Sequence, residues 1–170
     1  MTAQSTEAGG EEGPIVLLLH GPNLNLLGER EPEVYGTATL DDHVGEARRA
    51  AAVAGMTLEH LQSNAEADLV EAIHGARGRC AAIVVNPGAL THYAWSLHDA
   101  LAAFGGVKIE LHLTNPNRRE AWRHTSVVAP VVDASLVGLG ADGYPLAIDA
   151  VRRLLARRAA PAATSPAASP

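Results

Sequence analysis

Residues 14–36 read PIVLLLHGPNLNLLGEREPEVYG, an unbroken apolar run that changes abruptly into a polar segment rich in glycine and proline. The run at residues 14–19 is typical of a strand in a parallel sheet that is covered on both faces. The glycines and prolines that follow predict a shaped loop with hinges rather than a regular helix. Ligands of open α/β sheets bind outside the carboxyl ends of the strands. Asn23, Arg30 and Tyr35 on this loop therefore indicate an active-site lid.

Strand and helix patterns alternate along the rest of the chain. Further strands are predicted at residues 57–62, 80–85, 107–112 and 127–139, the last with a break at Asp133. Helices are predicted at residues 40–54, 65–74, 95–104 and 144–158, and a short one around residues 119–124. Thr39 and Asp41 are available to cap the first helix. Parallel neighbours require right-handed crossover connections, so this order predicts an α/β fold with a flavodoxin-like, doubly wound, five-stranded parallel sheet and helices on both faces.

Composition places the chain among ordinary globular proteins. A chain of 170 residues with 47% apolar residues has enough core for one domain. The net charge of −6 and the scattered arginines argue against nucleic acid as a partner. Cys80 is the only cysteine, which excludes a disulfide framework, and the eight histidines form no compact ligand set. We therefore expect no metal.

The two ends of the chain differ from its centre. Residues 1–13 and the Ala/Pro/Ser-rich residues 159–170 are predicted to be disordered tails around a single catalytic domain at residues 14–158. No secretory signal is visible, and the apolar runs are too short to span a bilayer. The expectation is a cytoplasmic protein that does not bind membranes.

Hydrogen-bonding side chains stand at the ends of four successive predicted strands. They are His20 and Asn23, Ser63 and Asn64, Asn86, and then Glu110, His112 and Thr114. Each alone has a structural explanation, because Asn and Ser cap helices and form turns. Together they predict one pocket at a single rim, with Tyr35 and His112 as a titratable pair.

These residues resemble the type II 3-dehydroquinate dehydratases of the shikimate pathway, over about residues 14–155. The resemblance rests on separated motifs in the family's order: GPNLNLLGEREPEVYG (21–36), QSNAEADLVEAIH (62–74), NPGALTH (86–92), ELHLTN (110–115), REAWRHTS (119–126) and GLGADGY (138–144). It implies dehydration of 3-dehydroquinate to 3-dehydroshikimate in aromatic amino-acid biosynthesis, without a cofactor.

The resemblance also implies a mechanism through an enolate. Tyr35 matches the base that removes the C2 proton, and Arg30 matches the cation that activates it. Lowering a phenol pKa by two units from about 10 takes roughly 2.7 kcal/mol. His112 matches the acid that protonates the departing C1 hydroxyl, and Glu110, two residues earlier on the same strand face, would orient it. Asn23 matches a residue that holds a water or enolate oxygen.

Further matches concern binding and assembly. Asn86, His92 and Arg123 match substrate-binding positions, and the backbone N–H groups of Leu113 and Thr114 match the substrate carboxylate site. Asp99 matches a residue that reaches a neighbouring subunit, because the family assembles as trimers within a homododecamer.

Departures and alternatives remain. His20 stands where relatives usually have Asn, Tyr93 and Trp95 replace smaller residues, and Asn117-Arg118 replaces a His-Ala pair.

Residues 138–143 satisfy GxGxxG, but they lie in the last unit with no acidic residue on a following strand, which argues against NAD. Lys108 is the only lysine, and an enolate route needs no Schiff base. The alternative function is a flavodoxin-like binding or regulatory module without elimination activity.

Overall fold

Five parallel strands form the sheet in the computed structural model, which describes residues 13–29 and 37–160. They are β1 (Ile15–His20), β2 (Thr57–Gln62), β3 (Ala82–Asn86), β4 (Val107–His112) and β5 (Ala134–Val137). The strand order is β2-β1-β3-β4-β5, and every neighbouring pair is parallel. This order is the doubly wound, flavodoxin-like one, so the predicted fold class is confirmed.

Helices cover both faces of the sheet. They are α1 (Leu40–Val53), α2 (Glu66–Ala76), α3 (Trp95–Ala102) and α4 (Gly143–Ala159). Val16 and Leu18 pack with α1 and α4, whereas Leu17 and Leu19 pack with α2 and α3. Because successive side chains of a strand point to opposite faces, an unbroken apolar run fills two cores at once.

Helix α1 begins with a capping box. The Thr39 hydroxyl accepts from the Asp42 backbone N–H at 3.2 Å, and the Asp42 carboxylate accepts from the Thr39 N–H at 2.8 Å. Thr39 is thus the cap, as predicted, whereas Asp41, the other residue predicted to be available as a cap, lies inside the helix. The reciprocal bond needs the third residue after the cap, which is Asp42.

The predicted fifth strand at residues 127–139 is too long, since β5 contains only Ala134–Val137. Val127 and Val128 are buried against the core beneath α2 and α3 rather than paired in the sheet. The Ser126 hydroxyl accepts from the N–H groups of Val128 and Ala129, at 3.1 and 2.8 Å, and a 3₁₀ turn follows. These N–H groups bond to a side chain and not to a neighbouring strand. Apolar residues therefore continue through this segment although it is not part of the sheet.

Two further segments are 3₁₀ turns. The short helix predicted around residues 119–124 is a 3₁₀ turn at Ala121–His124, and the loop after β1 contains another at Leu24–Leu26. Among the described residues, no helix combines the length and the apolar character that crossing a membrane demands. Arg30 and Tyr35 lie outside the described residues.

Candidate active site

A cleft opens at the carboxyl ends of β1, β3 and β4, where the strand order reverses between β1 and β3. Such switch points are where ligands bind in open α/β sheets. The lining consists of Pro22, Asn23, Leu24, Leu26, Leu27, Asn86, Gly88, Ala89, His92, His112, Leu113, Thr114, Pro116, Arg119 and Arg123.

Most of the site residues expected from the sequence border this cleft. Asn23, Asn86, His92, His112, Leu113, Thr114 and Arg123 line it. Glu110 is buried in contact with His112, and Asp99 is exposed on α3, apart from the cleft lining. Arg119 was not singled out, although its cationic side chain lies four residues before Arg123 in one motif.

Glu110 is held in a buried set of hydrogen-bond donors. The side chain of His112 donates from Nε2 at 2.9 Å, and the hydroxyls of Ser126 and Ser135 donate at 3.1 and 3.2 Å. The Thr91 hydroxyl donates to the same carboxylate. Burial by itself raises the pKa of Glu110, but the bonds from His112, Thr91 and Ser126 outweigh it and lower the pKa. The carboxylate is therefore ionised at neutral pH.

The Glu110 bond decides which proton His112 can give away. An ionised carboxylate only accepts, so Nε2 of His112 must carry a hydrogen. Nδ1 is the ring nitrogen that Glu110 does not engage, and it can donate a proton only when the ring is an imidazolium. Glu110 places a negative charge beside that imidazolium.

The three hydroxyl partners of Glu110 were not predicted. Thr91 precedes His92 in a 3₁₀ turn, Ser126 follows the 3₁₀ turn at Ala121–His124, and Ser135 lies opposite Glu110 on β5. The sequence signal was weak, because isolated Ser and Thr residues are common in turns. Only the tertiary fold places them together.

Asn23 stands in the left-handed backbone region, with φ 66° and ψ 0°. Its backbone N–H donates to the Asn64 side chain at 2.9 Å, and Gln62 donates to the same oxygen at 3.1 Å. Asn64 therefore fastens the loop after β1 to the end of β2. Ser63, also expected at the rim, instead accepts from the Ala65 N–H at 3.0 Å in the turn that leads into α2.

A basic and aromatic wall borders the cleft. The Arg123 guanidinium lies 4.0 Å from the centre of the Trp122 ring. The Nε of Arg123 donates to the Glu120 carboxylate at 2.7 Å. His92 meets the same ring edge-on with centroids 5.1 Å apart and donates from Nδ1 to the Thr125 carbonyl at 2.7 Å. These contacts hold the Arg123 guanidinium and the His92 imidazole at the border of the cleft.

Across residues 13–29 and 37–160, no group of three or more His, Cys, Asp or Glu side chains is arranged to hold a metal ion. The GxGxxG stretch also lacks a nucleotide-binding setting, because it follows β5, an edge strand far from the switch point. A Cβ at Gly143 would lie 2.9 Å from the Leu111 side chain, so this glycine allows α4 to pack closely on the sheet.

Fold and site together define an α/β enzyme of flavodoxin-like topology, in which a buried carboxylate and a cleft-lining imidazole suit proton transfer. Residues 14–152 match the family described as Dehydroquinase class II. A relative named 3-dehydroquinate dehydratase 1, from Corynebacterium efficiens, is 50% identical over 134 residues, which cover 79% of this chain and 89% of that protein. Catabolic 3-dehydroquinase 2 of Aspergillus flavus is 50% identical over 135 residues, covering 79% and 90%.

Solved structures agree with these relatives. The type II dehydroquinase from Butyrivibrio crossotus has a TM-score of 0.80 at 39% identity and covers 82% of this chain and 97% of that one. The type II dehydroquinase from Propionibacterium acnes has the same TM-score at 36% identity, with coverage of 85% and 99%. The chain belongs to the class II dehydroquinase family and is a hydro-lyase.

Proposed function

We propose that this protein dehydrates 3-dehydroquinate to 3-dehydroshikimate and water. The observation that carries the proposal is the hydrogen-bonded pair of the buried Glu110 and the cleft-lining His112, in a chain of this family. Elimination of water needs one group that removes a proton and another that protonates the leaving hydroxyl. A histidine held by an ionised carboxylate suits the second task.

In the proposed acid step, His112 gives the proton on Nδ1 to the C1 hydroxyl, which leaves as water. The hydrogen on Nε2 stays on the ring and remains hydrogen-bonded to the Glu110 carboxylate throughout, so the ring keeps its orientation as its charge changes. Glu110 stabilises the imidazolium before the transfer and is itself ionised by its hydroxyl donors.

The proposed base is Tyr35, which takes the C2 proton and leaves an enolate. Arg30 would lower the pKa of that phenol by placing a cation beside it. Support for both roles comes from their positions in the family motif after β1, since both residues lie outside the described part of the chain. Asn23, on the described part of the same loop, lines the cleft and is proposed to hold the enolate oxygen or a water.

Substrate binding is proposed to use the opposite wall of the cleft. Arg123 and His92 supply a cation and an imidazole for an anionic substrate, and Asn86 supplies an amide for a hydroxyl. The substrate carboxylate is proposed to bind the backbone N–H groups of Leu113 and Thr114 beyond β4. Backbone donors suit this role because they are fixed by the fold and carry no side-chain freedom.

The alternative, a flavodoxin-like binding module without elimination activity, has less support. Such a module has no need for a buried carboxylate that fixes an imidazole at the ligand cleft. The family relatives that cover most of this chain are also named as dehydratases.

The direct test follows the ultraviolet absorbance of the conjugated enone product after 3-dehydroquinate is added. We expect turnover in the wild type and a loss of at least about 100-fold in kcat for Tyr35→Phe and for Glu110→Gln. Glu59→Gln is the matched control, because Glu59 lies on β2 in a surface ion pair with Arg79. Folded wild-type protein without an absorbance rise would refute the proposed function.

A further inference from the structure

The turn that follows β1 is tied to the strands on both sides of it. The Gly21 N–H donates to the Asn86 backbone carbonyl at the end of β3, at 2.8 Å. At the end of β2, the Gln62 amide nitrogen donates to the Gly21 carbonyl at 3.3 Å. The side-chain oxygen of Asn64 accepts from the Asn23 backbone N–H at 2.9 Å and from the Gln62 amide at 3.1 Å. The turn is therefore held from both neighbouring strands, and one of these bonds reaches Asn23 itself.

Backbone groups fix the orientation of both side-chain amides. The Gly21 carbonyl only accepts, so the atom of Gln62 that faces it must be the amide nitrogen. The Asn23 N–H only donates, so the atom of Asn64 that faces it must be the oxygen. The Gln62 nitrogen carries two hydrogens, one for Gly21 and one for Asn64. Flipping either amide would break at least one of the three bonds.

Asn23 needs this support because its backbone conformation is unfavourable. With φ 66°, it is the only residue other than glycine in the left-handed region within residues 13–29 and 37–160. Asparagine visits this region more readily than most residues, but the region still costs free energy. In this conformation Asn23 lines the cleft, and its carbonyl accepts from the Leu26 N–H at 3.2 Å. Without Asn64, the Asn23 N–H would lose the acceptor that favours this conformation.

We propose that Asn64 is a positioning residue that fixes the Asn23 backbone and thereby places the Asn23 side chain for the reaction. Asn64 acts through Asn23, because Asn64 is not among the residues that line the cleft. If Asn23 holds the enolate oxygen, its placement matters more in the transition state than in the bound substrate. The effect on catalysis rests on the proposed function, whereas the bonds from Asn64 and Gln62 to the turn are a property of the fold.

Asn64→Leu removes the acceptor and keeps a side chain of similar size. We expect kcat to fall roughly tenfold and KM to change by less than about twofold, because the group that holds the enolate is misplaced while the binding wall stays intact. Asn64→Asp keeps an oxygen acceptor at this position, so its kcat should lie within about threefold of the wild type. An Asn64→Asp variant as slow as Asn64→Leu would contradict the role of the acceptor.

Ser63→Ala is the matched control for these variants. It also removes a side-chain acceptor of a backbone N–H, that of Ala65, from the residue next to Asn64. The Ser63 hydroxyl bonds within its own segment, to Ala65 and Asp68, and Ser63 is not among the cleft-lining residues. Ser63→Ala should therefore keep the wild-type kcat and KM.

A second background tests whether Asn64 acts through Asn23. Asn23→Gly removes the side chain and leaves a residue that adopts the left-handed region without strain. In that background, Asn64→Leu should lower kcat by less than a further factor of about two, because the group that it positions is gone. A tenfold loss that persists in Asn23→Gly, or a loss that appears in KM alone, would overturn the positioning role.

Hydrogen exchange followed by mass spectrometry tests the contact without any substrate. The Asn23 amide, resolved by overlapping peptides that span residues 21–27, should exchange roughly tenfold faster in Asn64→Leu than in the wild type. In Ser63→Ala it should exchange at the wild-type rate. Equal exchange in Asn64→Leu and the wild type would refute the proposed support of Asn23. Wild-type protein without turnover would refute the proposed function instead, and the exchange rates would then decide whether Asn64 holds the turn.

Discussion

Acidification from pH 7.5 to 5.0 should destabilise the fold through its buried histidines. Burial lowers the pKa of His20 to about 3, and it also lowers the pKa values of His43 and His60. Below their ordinary pKa of 6.5 these rings bind protons more readily in the unfolded chain than in the native one. Their contribution to stability is therefore complete above pH 6.5 and is lost as the pH falls toward the native pKa.

The size of the loss can be worked out for His20. At pH 5.0 the unfolded chain gains about 2 kcal/mol from protonating a group with a pKa of 6.5, while the native form gains almost nothing. Because the native pKa of His20 is about 3, the figure depends almost entirely on the unfolded value. His43 and His60 act in the same direction. Glu110 also has a lowered pKa, but a carboxylate contributes mainly below its ordinary pKa of 4.5.

Urea unfolding followed by circular dichroism at one protein concentration measures this effect. Between pH 7.5 and 5.0, His20→Gln should lose about 2 kcal/mol less unfolding free energy than the wild type. The control is Val84→Ala, in the core beneath α1 and α4. It should lower the unfolding free energy below that of the wild type by the same amount at pH 7.5 and at pH 5.0. An equal loss on acidification in His20→Gln and the wild type would refute the argument.

Three other predictions concern the site and the assembly. Ser126→Ala removes a bond that lowers the pKa of Glu110, so the acid limb of the kcat/KM profile should move to higher pH; an unchanged limb would exclude this coupling. Lys108→Met should keep most activity, and borohydride should trap no substrate adduct, because the Lys108 ammonium donates to the Phe104 backbone carbonyl at 2.8 Å. Lost turnover in a folded Lys108→Met variant would favour imine chemistry. If Asp99 acts across a subunit boundary, mixing inactive Asp99→Ala and His112→Asn proteins under subunit exchange should restore part of the activity, whereas inactivity of the exchanged mixture would contradict it.

The sheet and its helices were predictable because their patterns are local. Apolar runs mark the central strands, and helical spacing marks α1 to α4 to within about two residues at most ends. This reasoning fails at residues 127–133. Val127 and Val128 are buried by packing in the core beneath α2 and α3, and not by lying in a strand of the sheet. Periodicity reports that a side chain is buried, but it does not report what buries it.

Placement at the cleft was also predictable for residues at strand ends, since carboxyl ends of parallel strands share one rim. The hydrogen-bond partners of the buried polar side chains were not predictable. Thr91, Ser126 and Ser135 lie 16 to 25 residues from Glu110 in the chain, and Tyr144 lies 124 residues from His20. Such pairs depend on strand register and on helix packing, which no local pattern encodes.

Two buried polar networks lie on opposite faces of the sheet. Glu110 has the same face as Val85, whose side chain packs with α2 and α3. Tyr144 belongs to α4, and it meets His20 on the face where Leu18 packs with α1 and α4. A doubly wound sheet therefore supports the Glu110–His112 pair from one helix layer and the His20–Tyr144 pair from the other. Each pair can be held independently of the other because the central strands separate the two sets of side chains.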